Sequence, residues 1–292
     1  MPLSIKYTIL ENKLFDYPFR MIISGSSQSG KTTFTEKLLA NQHIFQKPVR
    51  RIVYCHPDYF SQRPVEWHTV LKIPVVYQAG LPSLNELCEL ESDTCVVLDD
   101  LYEESINSPA IDYLFRVLSG KKRINVIILS QRFYACGRFA LNIRNNSNFL
   151  VMMRNVDAKL NNRIASMLCL KKPIEQAIKD TFEQNYYPYI FVDSSPRAQV
   201  SSIRCYTNIF NHIQIAYHSN GMKAYILSEN DFLSQFTVIN STSAIKKESE
   251  SSDATSDESC SENKRSDINE RTKQRARQSR YRRQLRKNLQ QY

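Results

Sequence analysis

Two glycines, a lysine and a threonine of this chain stand at a spacing that is typical of phosphate binding. They fit the pattern G-x-x-x-x-G-K-[S/T] at every fixed position, and only 6 glycines occur in the chain, so a chance match is improbable. The loop and the threonine that follows it comprise Gly25, Ser26, Ser27, Gln28, Ser29, Gly30, Lys31, Thr32 and Thr33. In such a loop, backbone amides at a helix N-terminus cradle phosphate oxygens. We therefore expect Lys31 to bridge the β- and γ-phosphates of a nucleotide, and the Thr32 hydroxyl to bind Mg²⁺.

A pair of carboxylates follows an apolar run. Asp99 and Asp100 come directly after Cys95–Leu98, a pattern that is typical of a strand buried on both faces. Open α/β sheets bind ligands at the carboxyl ends of such strands. There, Asp99 is placed to hold Mg²⁺ through water, and Asp100 to polarise an attacking water molecule. Glu103 and Glu104 are rival bases, but their position favours a solvated turn.

A polar amide, Gln131, ends the next apolar run, Val126–Ser130. An amide in this position can contact the γ-phosphate or its attacking water and so respond to hydrolysis. Because a glutamine at the end of a strand is commonly only a surface residue, this sensor role depends on the phosphate loop and on Asp99.

These residues need a sheet whose strand ends meet at one edge, and the sequence predicts one. Apolar runs alternate with helical patterns, which indicates a doubly wound α/β fold with a parallel sheet. The predicted strands are Phe19–Ser24, Arg51–Cys55, Val75–Gln78, Cys95–Leu98, Val126–Ser130, Phe149–Met153 and Tyr189–Val192. The predicted helices are Lys31–Asn41, Leu84–Leu90, Pro109–Ser119, Ala158–Leu168 and Ile174–Gln184.

Composition divides the chain into a folded body and a charged C-terminal region. Residues 1–240 are predicted to form a P-loop domain, with a core over about 15–195 and an extension over 196–240. Three apolar runs of the extension (Ile209–Ile215, Ala224–Leu227 and Phe232–Ile239) fit either more of the same domain or a small appendage. Residues 241–263 are rich in Ser, Asp and Glu with almost nothing to bury, which predicts a disordered acidic linker.

Charge points to a polyanionic partner. The net charge is +10, and residues 264–292 form a basic tail in which eleven Lys and Arg face two Asp and Glu. Such an excess indicates contact with a nucleic acid or another polyanion. No apolar run is long enough to span a bilayer, so we expect no membrane partner.

At these motifs the chain resembles a known family. The segments GSSQSGKTT, VVLDD, GKKRINVIILSQ and LNIRNNSNFLVMM are similar to those of the genome-packaging ATPases of the FtsK–HerA superfamily. The likeness is greatest to its poxvirus-type branch, which is found in large DNA viruses and in Polinton elements, and it covers about residues 15–195. It implies a RecA-like P-loop NTPase fold: α/β, with a mostly parallel sheet and helices on both faces.

The resemblance also implies roles for single residues. Lys31 matches the family's phosphate ligand and Thr32 its Mg²⁺ ligand. Asp99 and Asp100 match its acidic pair, and Gln131 matches its sensor. Arg144 matches a basic position suited to an arginine finger that acts across a subunit boundary, and Arg123 is its rival. This branch more often has an Arg-His pair where the chain has lysines and an arginine at 121–123, so the choice between the two stays open.

The function implied by the resemblance is ATP-driven translocation of viral-type double-stranded DNA into a capsid. ATP and Mg²⁺ are the expected cofactors, and a homo-oligomeric ring, commonly a hexamer, the expected assembly. A capsid or portal-type viral protein is the expected partner. The expected location is intracellular, in the host nucleus or at a viral assembly site, or in association with the virion.

Two other functions also fit a P-loop. Viral replicative helicases combine such a loop with an acidic pair, and small nucleotide kinases carry the same G-x-x-x-x-G-K-[S/T] pattern. Kinases usually add an Arg-rich lid and an acceptor pocket. The pair Asp99 and Asp100, with the strand that ends in Gln131, favours water as the acceptor instead.

Overall fold

The computed structural model describes residues 7–10, 15–57, 66–154, 158–182, 187–196, 198, 202–211 and 213–228. All of them belong to one compact unit, Met1–Phe236. The second unit, Thr237–Tyr292, lies outside the described residues, and with it the predicted linker 241–263 and basic tail 264–292.

Every strand of the described residues joins one sheet. In chain order the strands are β1 (Tyr7–Leu10), β2 (Arg20–Ser24), β3 (Arg51–His56), β4 (Val75–Ala79), β5 (Thr94–Asp99), β6 (Asn125–Ser130), β7 (Phe149–Met153), β8 (Tyr189–Asp193), β9 (Ile203–Thr207), β10 (Ile213–His218) and β11 (Lys223–Ser228). Side by side their order is β1-β11-β10-β9-β8-β7-β2-β6-β5-β3-β4. The predicted strands between residues 19 and 193 are all present as β2 to β8, with ends that move by one residue or not at all.

The middle of the sheet has a RecA-like order of strands. Strands β7-β2-β6-β5-β3 lie side by side and are parallel throughout, with β4 added as a parallel edge strand. Strand β6 therefore separates β2, which enters the phosphate loop, from β5, which ends at Asp99. The predicted α/β fold with a mostly parallel sheet is confirmed.

The other part of the sheet is largely antiparallel. Strand β8 pairs antiparallel with β7, and β9, β10 and β11 continue in alternating directions, while β1 pairs parallel with β11. The apolar run Tyr189–Val192 predicted a strand of a parallel sheet, and this direction is wrong for β8. Burial makes the run apolar: Ile190–Asp193 are buried, and burial does not depend on strand direction.

The predicted extension, residues 196–240, could be either more of the same domain or a small appendage. Where the structure describes it, it continues the same sheet. Within the runs Ile209–Ile215 and Ala224–Leu227 lie parts of β10 and β11, and both strands belong to the main sheet. Phe232–Ile239 lies outside the described residues.

Helices of the described residues pack on both faces of the sheet, as predicted. They are α1 (Lys31–Ala40), α2 (Trp67–Val70), α3 (Leu84–Glu89), α4 (Tyr102–Ser105), α5 (Pro109–Tyr113), α6 (Ser119–Lys122), α7 (Ala140–Asn145), α8 (Ala158–Met167) and α9 (Lys171–Thr181). Neighbouring residues of β2, Met21 and Ile22, enter different core clusters because side chains alternate across a strand. Phe34 of α1 joins the cluster of Met21, and Ile111 of α5 joins that of Ile22. None of the helices in the described residues is both long and apolar enough for a membrane span.

The starts of α5 and α9 follow from the local sequence. The predicted start at Pro109 is confirmed, since the Ser108 hydroxyl accepts the Ile111 amide at 3.4 Å and proline occupies the first turn. That helix continues as a π-helical turn, Leu114–Leu118, into α6, where a single helix ending at Ser119 was predicted. Helix α9 begins at Lys171 rather than at the predicted Ile174, because a proline at 173 is tolerated in a first turn.

An aromatic cluster anchors the start of the described core. The ring of Phe15 is fully buried, and its centroid lies 5.0–5.7 Å from those of Phe19, Phe45, Phe149 and Phe191. Phe19 directly precedes β2, Phe45 follows α1, and the other two partners lie on β7 and β8, so one ring ties distant parts of the chain together.

Truncating this ring should destabilise the fold. We expect Phe15→Ala to lower the free energy of unfolding by about 3–5 kcal/mol, because it removes a buried ring and leaves a cavity. Urea denaturation measures the change. Leu141→Ala, at a side chain that is 61% exposed, is the control and should change it by less than about 0.5 kcal/mol. Equal losses in both variants would contradict the assigned core.

Candidate active site

The predicted phosphate loop, acidic pair and sensor glutamine lie at the carboxyl ends of three neighbouring strands. Ser24, the last residue of β2, is paired with Ser130, the last of β6, and Asp99 of β5 is paired with Leu129 of β6. The phosphate loop, the acidic pair and Gln131 therefore leave the sheet side by side. These residues are up to about a hundred positions apart along the chain, and the pairing of the strands brings them together.

The loop turns through two left-handed backbone positions. Gln28 has a φ of 60° and Gly30 a φ of 91°, and Gly30 is the N-cap of α1. At its other end, the Gly25 amide donates to the Ser130 carbonyl at 3.1 Å, which ties the loop to β6. A Cβ at Gly25 would lie 2.5 Å from the Cβ of Met153, so only glycine lets the loop pass this close to β7.

Lys31 is folded over the loop. Its ammonium donates to the carbonyls of Gly25 at 3.0 Å and Ser26 at 2.9 Å. Burial lowers the pKa of Lys31, while the carboxylates of Asp99 and Asp100 oppose that shift. A partly desolvated cation beside free helix amides is suited to phosphate oxygens.

Asp99 is a half-buried carboxyl group with several donors around it. Burial raises its pKa, and three neighbours, the hydroxyls of Tyr54 and Thr32 and the Lys31 ammonium, oppose that shift. The Tyr54 hydroxyl donates to Oδ2 of Asp99. Asp100 acts in the other direction, because a second carboxylate nearby raises the pKa of the first.

The donor set fits Mg²⁺ bound with a nucleotide. Mg²⁺ takes oxygen ligands, and the Thr32 hydroxyl lies near enough to the Asp99 carboxylate to lower its pKa. In addition, the Ser29 hydroxyl is buried and has no hydrogen-bond partner among the residues that the structure describes. An orphaned buried hydroxyl inside the loop is the kind of polar atom that a bound phosphate or its water would satisfy.

Asp100 and Gln131 meet directly. The Gln131 amide donates from Nε2 to Oδ1 of Asp100 at 3.1 Å, and both side chains are exposed. Asp100 adopts a φ of 55°, a left-handed conformation that costs free energy for a residue other than glycine. In this conformation the Asp100 carboxylate accepts from the Gln131 amide, which directly follows β6.

The two candidate arginines lie in different surroundings. The guanidinium carbon of Arg144 lies 5.6 Å from the centroid of the Tyr134 ring, and its Nη1 is buried without a hydrogen-bond partner among the described residues. Arg123 is exposed and precedes β6, at the opposite edge of the sheet from the loop. Its carbonyl accepts the Tyr17 hydroxyl at 2.9 Å and the Asp93 amide at 3.1 Å, so its backbone is held while its side chain is exposed.

Three further residues at the site were not singled out by the sequence patterns. Tyr54 contacts Asp99, the carbonyl of Arg154 accepts the Ser26 hydroxyl at 3.2 Å, and the Tyr187 ring lies against Gly30. Arg154 could have been found by the rule that found Gln131, since it directly follows the apolar strand β7. No sequence signal marks Tyr54 or Tyr187, because their positions depend on which strands are neighbours.

Fold and site together define a P-loop NTPase architecture on a RecA-like sheet. No family model matches the chain, and no curated protein matches it significantly.

Several solved structures are similar to part of this chain. One is the genome packaging NTPase B204 from Sulfolobus turreted icosahedral virus 2 in complex with AMP, at 14% identity and a TM-score of 0.40, over 60% of this chain and 92% of that one. The DNA-packaging ATPase B204 from Sulfolobus Turreted Icosahedral Virus has 15% identity and a TM-score of 0.43, over 61% and 93%. The flagellar accessory protein FlaH from Methanocaldococcus jannaschii has 11% identity and a TM-score of 0.39, over 72% and 89%. At such values the likeness carries no conclusion about function.

The loop geometry makes a prediction about stability. We expect Gly30→Ala to lower the free energy of unfolding by at least about 1–2 kcal/mol, the cost of a left-handed position for alanine. The new Cβ would also meet Cδ1 of Tyr187 at 2.7 Å. Gly120→Ala is the matched control, because a Cβ there meets nothing within 4 Å, and it should leave stability unchanged or raise it. Thermal unfolding of both variants decides, and a neutral Gly30→Ala would refute this loop conformation.

Proposed function

We propose that this chain is an ATPase that drives viral-type double-stranded DNA into a capsid, as in the poxvirus-type branch of the FtsK–HerA superfamily. The observation that carries the ATPase part is the meeting of Lys31, Asp99, Asp100 and Gln131 at one edge of the sheet. A phosphate cradle, a half-buried carboxylate for Mg²⁺ and an exposed carboxylate with an amide partner are the parts that hydrolysis of a nucleotide requires.

Each residue of the site has a chemical task in this proposal. The loop amides and Lys31 hold the phosphates, and Thr32 with Asp99 holds Mg²⁺, which when bound neutralises charge on the β- and γ-phosphate oxygens. Asp100 accepts a proton from the attacking water, and Gln131, already bonded to Asp100 at 3.1 Å, orients that water. Because Asp100 is exposed, a water molecule can reach it from solvent.

The DNA part of the proposal is supported by the sequence resemblance and by charge. Exposed basic side chains lie at the amino ends of β3 and β6, opposite the loop: Arg50, Arg51, Lys121 and Arg123. One of them, Arg50, is paired with Asp93 at 3.3 Å. Together with a net charge of +10, these basic side chains suit contact with phosphate groups of DNA or of a neighbouring nucleotide. The remaining elements of the proposal are a homo-oligomeric ring, a capsid or portal-type partner, and a place in the host nucleus, at a viral assembly site or in the virion.

Within a ring, we infer that Arg123 is better placed than Arg144 to act on a neighbouring subunit. Six residues of β6 separate Arg123 from the loop edge, a distance of about 20 Å at 3.3 Å per residue, so it cannot serve its own nucleotide. Its side chain is exposed, and its backbone carbonyl is fixed by the hydrogen bond from the Tyr17 hydroxyl. Arg144 instead packs against Tyr134 of its own subunit. It also lies close to Tyr102: burial raises the pKa of the Tyr102 hydroxyl, and the positive charge of Arg144 opposes that rise.

Hydrolysis coupled to DNA is the first test. We expect purified protein to hydrolyse ATP faster with double-stranded DNA than without it.

Asp100→Asn should reduce kcat by roughly 10²–10⁴-fold while leaving nucleotide binding in place, because it removes the base but not the cradle. Lys31→Ala, the control for loss of the cradle, should weaken binding itself. A colorimetric phosphate assay and a fluorescent ATP analogue measure the two quantities.

Other outcomes of this assay point elsewhere. A monomer whose hydrolysis ignores DNA would refute the motor, and a phosphorylated nucleoside product would indicate a kinase. Separation of forked DNA strands would favour the helicase.

Subunit mixing tests the choice of arginine. We expect Arg123→Ala to lower kcat by roughly 10³-fold, the usual effect of losing an arginine finger, and to inhibit wild-type subunits when the two are mixed. Arg144→Ala should lower thermal stability instead, because it removes one of the two cations packed on Tyr134, the other being Arg163, 4.1 Å from the ring centroid. If Arg144→Ala poisons mixed rings at unchanged stability and Arg123→Ala does not, the assignment is reversed.

A further inference from the structure

Tyr54 is a buried tyrosine whose hydroxyl reaches the active site from a neighbouring strand. It lies on β3, where it is paired with Val97 of β5, two residues before Asp99. From there its hydroxyl donates to Oδ2 of Asp99. The side chain is 2% exposed, so water does not compete for this hydrogen bond.

The ring of Tyr54 is fixed by other aromatic side chains. Trp67 of α2 meets it edge to face at a centroid distance of 4.7 Å, and Tyr77 of β4 does so at 5.8 Å. Such contacts hold a ring in one orientation. The position of the hydroxyl therefore follows from the packing of β3, β4 and α2 and does not depend on Asp99.

The hydroxyl of Tyr54 is also fixed as a donor. The ordinary pKa of a tyrosine is about 10, so its hydroxyl carries a proton at neutral pH. The group can therefore donate to Asp99. A carboxylate has two oxygens, and occupation of Oδ2 by Tyr54 settles which way the group is turned.

We propose that Tyr54 is a positioning residue that holds the Asp99 carboxylate in the orientation in which it binds Mg²⁺. This inference rests on the proposed function, because it requires that Asp99 serve the Mg²⁺ of a bound nucleotide. Hydrogen bonds to metal-binding carboxylates fix their orientation, and their loss typically weakens metal binding by 10–100-fold. Tyr54 acts through Asp99, which accepts the hydrogen bond of its hydroxyl.

The substitution that tests the idea is Tyr54→Phe, which removes the hydroxyl and keeps the ring against Trp67. Tyr77→Phe is the matched control: it removes a hydroxyl from the same aromatic group, one strand further away, where the hydroxyl contacts His68. The probe is a fluorescent ATP analogue. Its affinity is measured across a Mg²⁺ titration and again in EDTA, with thermal unfolding of each variant to verify the fold.

We expect Tyr54→Phe to raise the Mg²⁺ concentration of half-maximal effect by about 10-fold or more, and to leave affinity in EDTA unchanged. Tyr77→Phe should titrate like wild type. An unchanged Mg²⁺ midpoint in Tyr54→Phe would overturn the proposal, as would an equal loss of affinity with and without Mg²⁺, which would indicate a role in loop structure. If wild type binds no nucleotide in Mg²⁺, the proposed function itself fails, and this result is distinct from the other two.

Discussion

The site depends on two opposite charges, Lys31 and Asp99, which are partly withdrawn from water at the carboxyl ends of the central strands. Lys31 and Asp99 are both partly buried, and burial works against the charged form of each, raising the pKa of the acid and lowering that of the base. Each is compensated by the other and by polar neighbours. The site is therefore a set of charges held in place before any ligand arrives, which is what fast chemistry on phosphates requires.

The strand order makes this compensation possible. Since β6 lies between β2 and β5, the loop and the acidic pair stand one strand apart, and Gln131 emerges in the gap between them. The loop is bonded to the end of β6 through the Gly25 amide, and it passes so close to β7 that no side chain fits at that position. Two core clusters, one on each face, keep these five strands in register.

Much of the site could be predicted from the sequence, because parallel strands bring their carboxyl ends to one edge. Asp99, Asp100 and Gln131 each end an apolar run, and the loop pattern is specific. What could not be predicted depends on contacts between distant segments. Tyr54 is one residue within an apolar strand until β3 is known to lie beside β5. The packing of Arg144 against Tyr134 is likewise invisible in the motif IRNN, and the direction of β8 leaves no trace in a run that is buried either way.

Binding of a nucleotide to Asp99→Asn tests the central claim most directly. The substitution keeps the size of the side chain and removes the charge that Mg²⁺ needs. Isothermal titration with a non-hydrolysable ATP analogue should show that Mg²⁺ strengthens binding to wild type by about 10-fold or more, and that Asp99→Asn loses this gain while its affinity in EDTA stays close to that of wild type. If Mg²⁺ strengthens binding equally in both proteins, Asp99 is not the metal-binding carboxylate and the site has been misassigned.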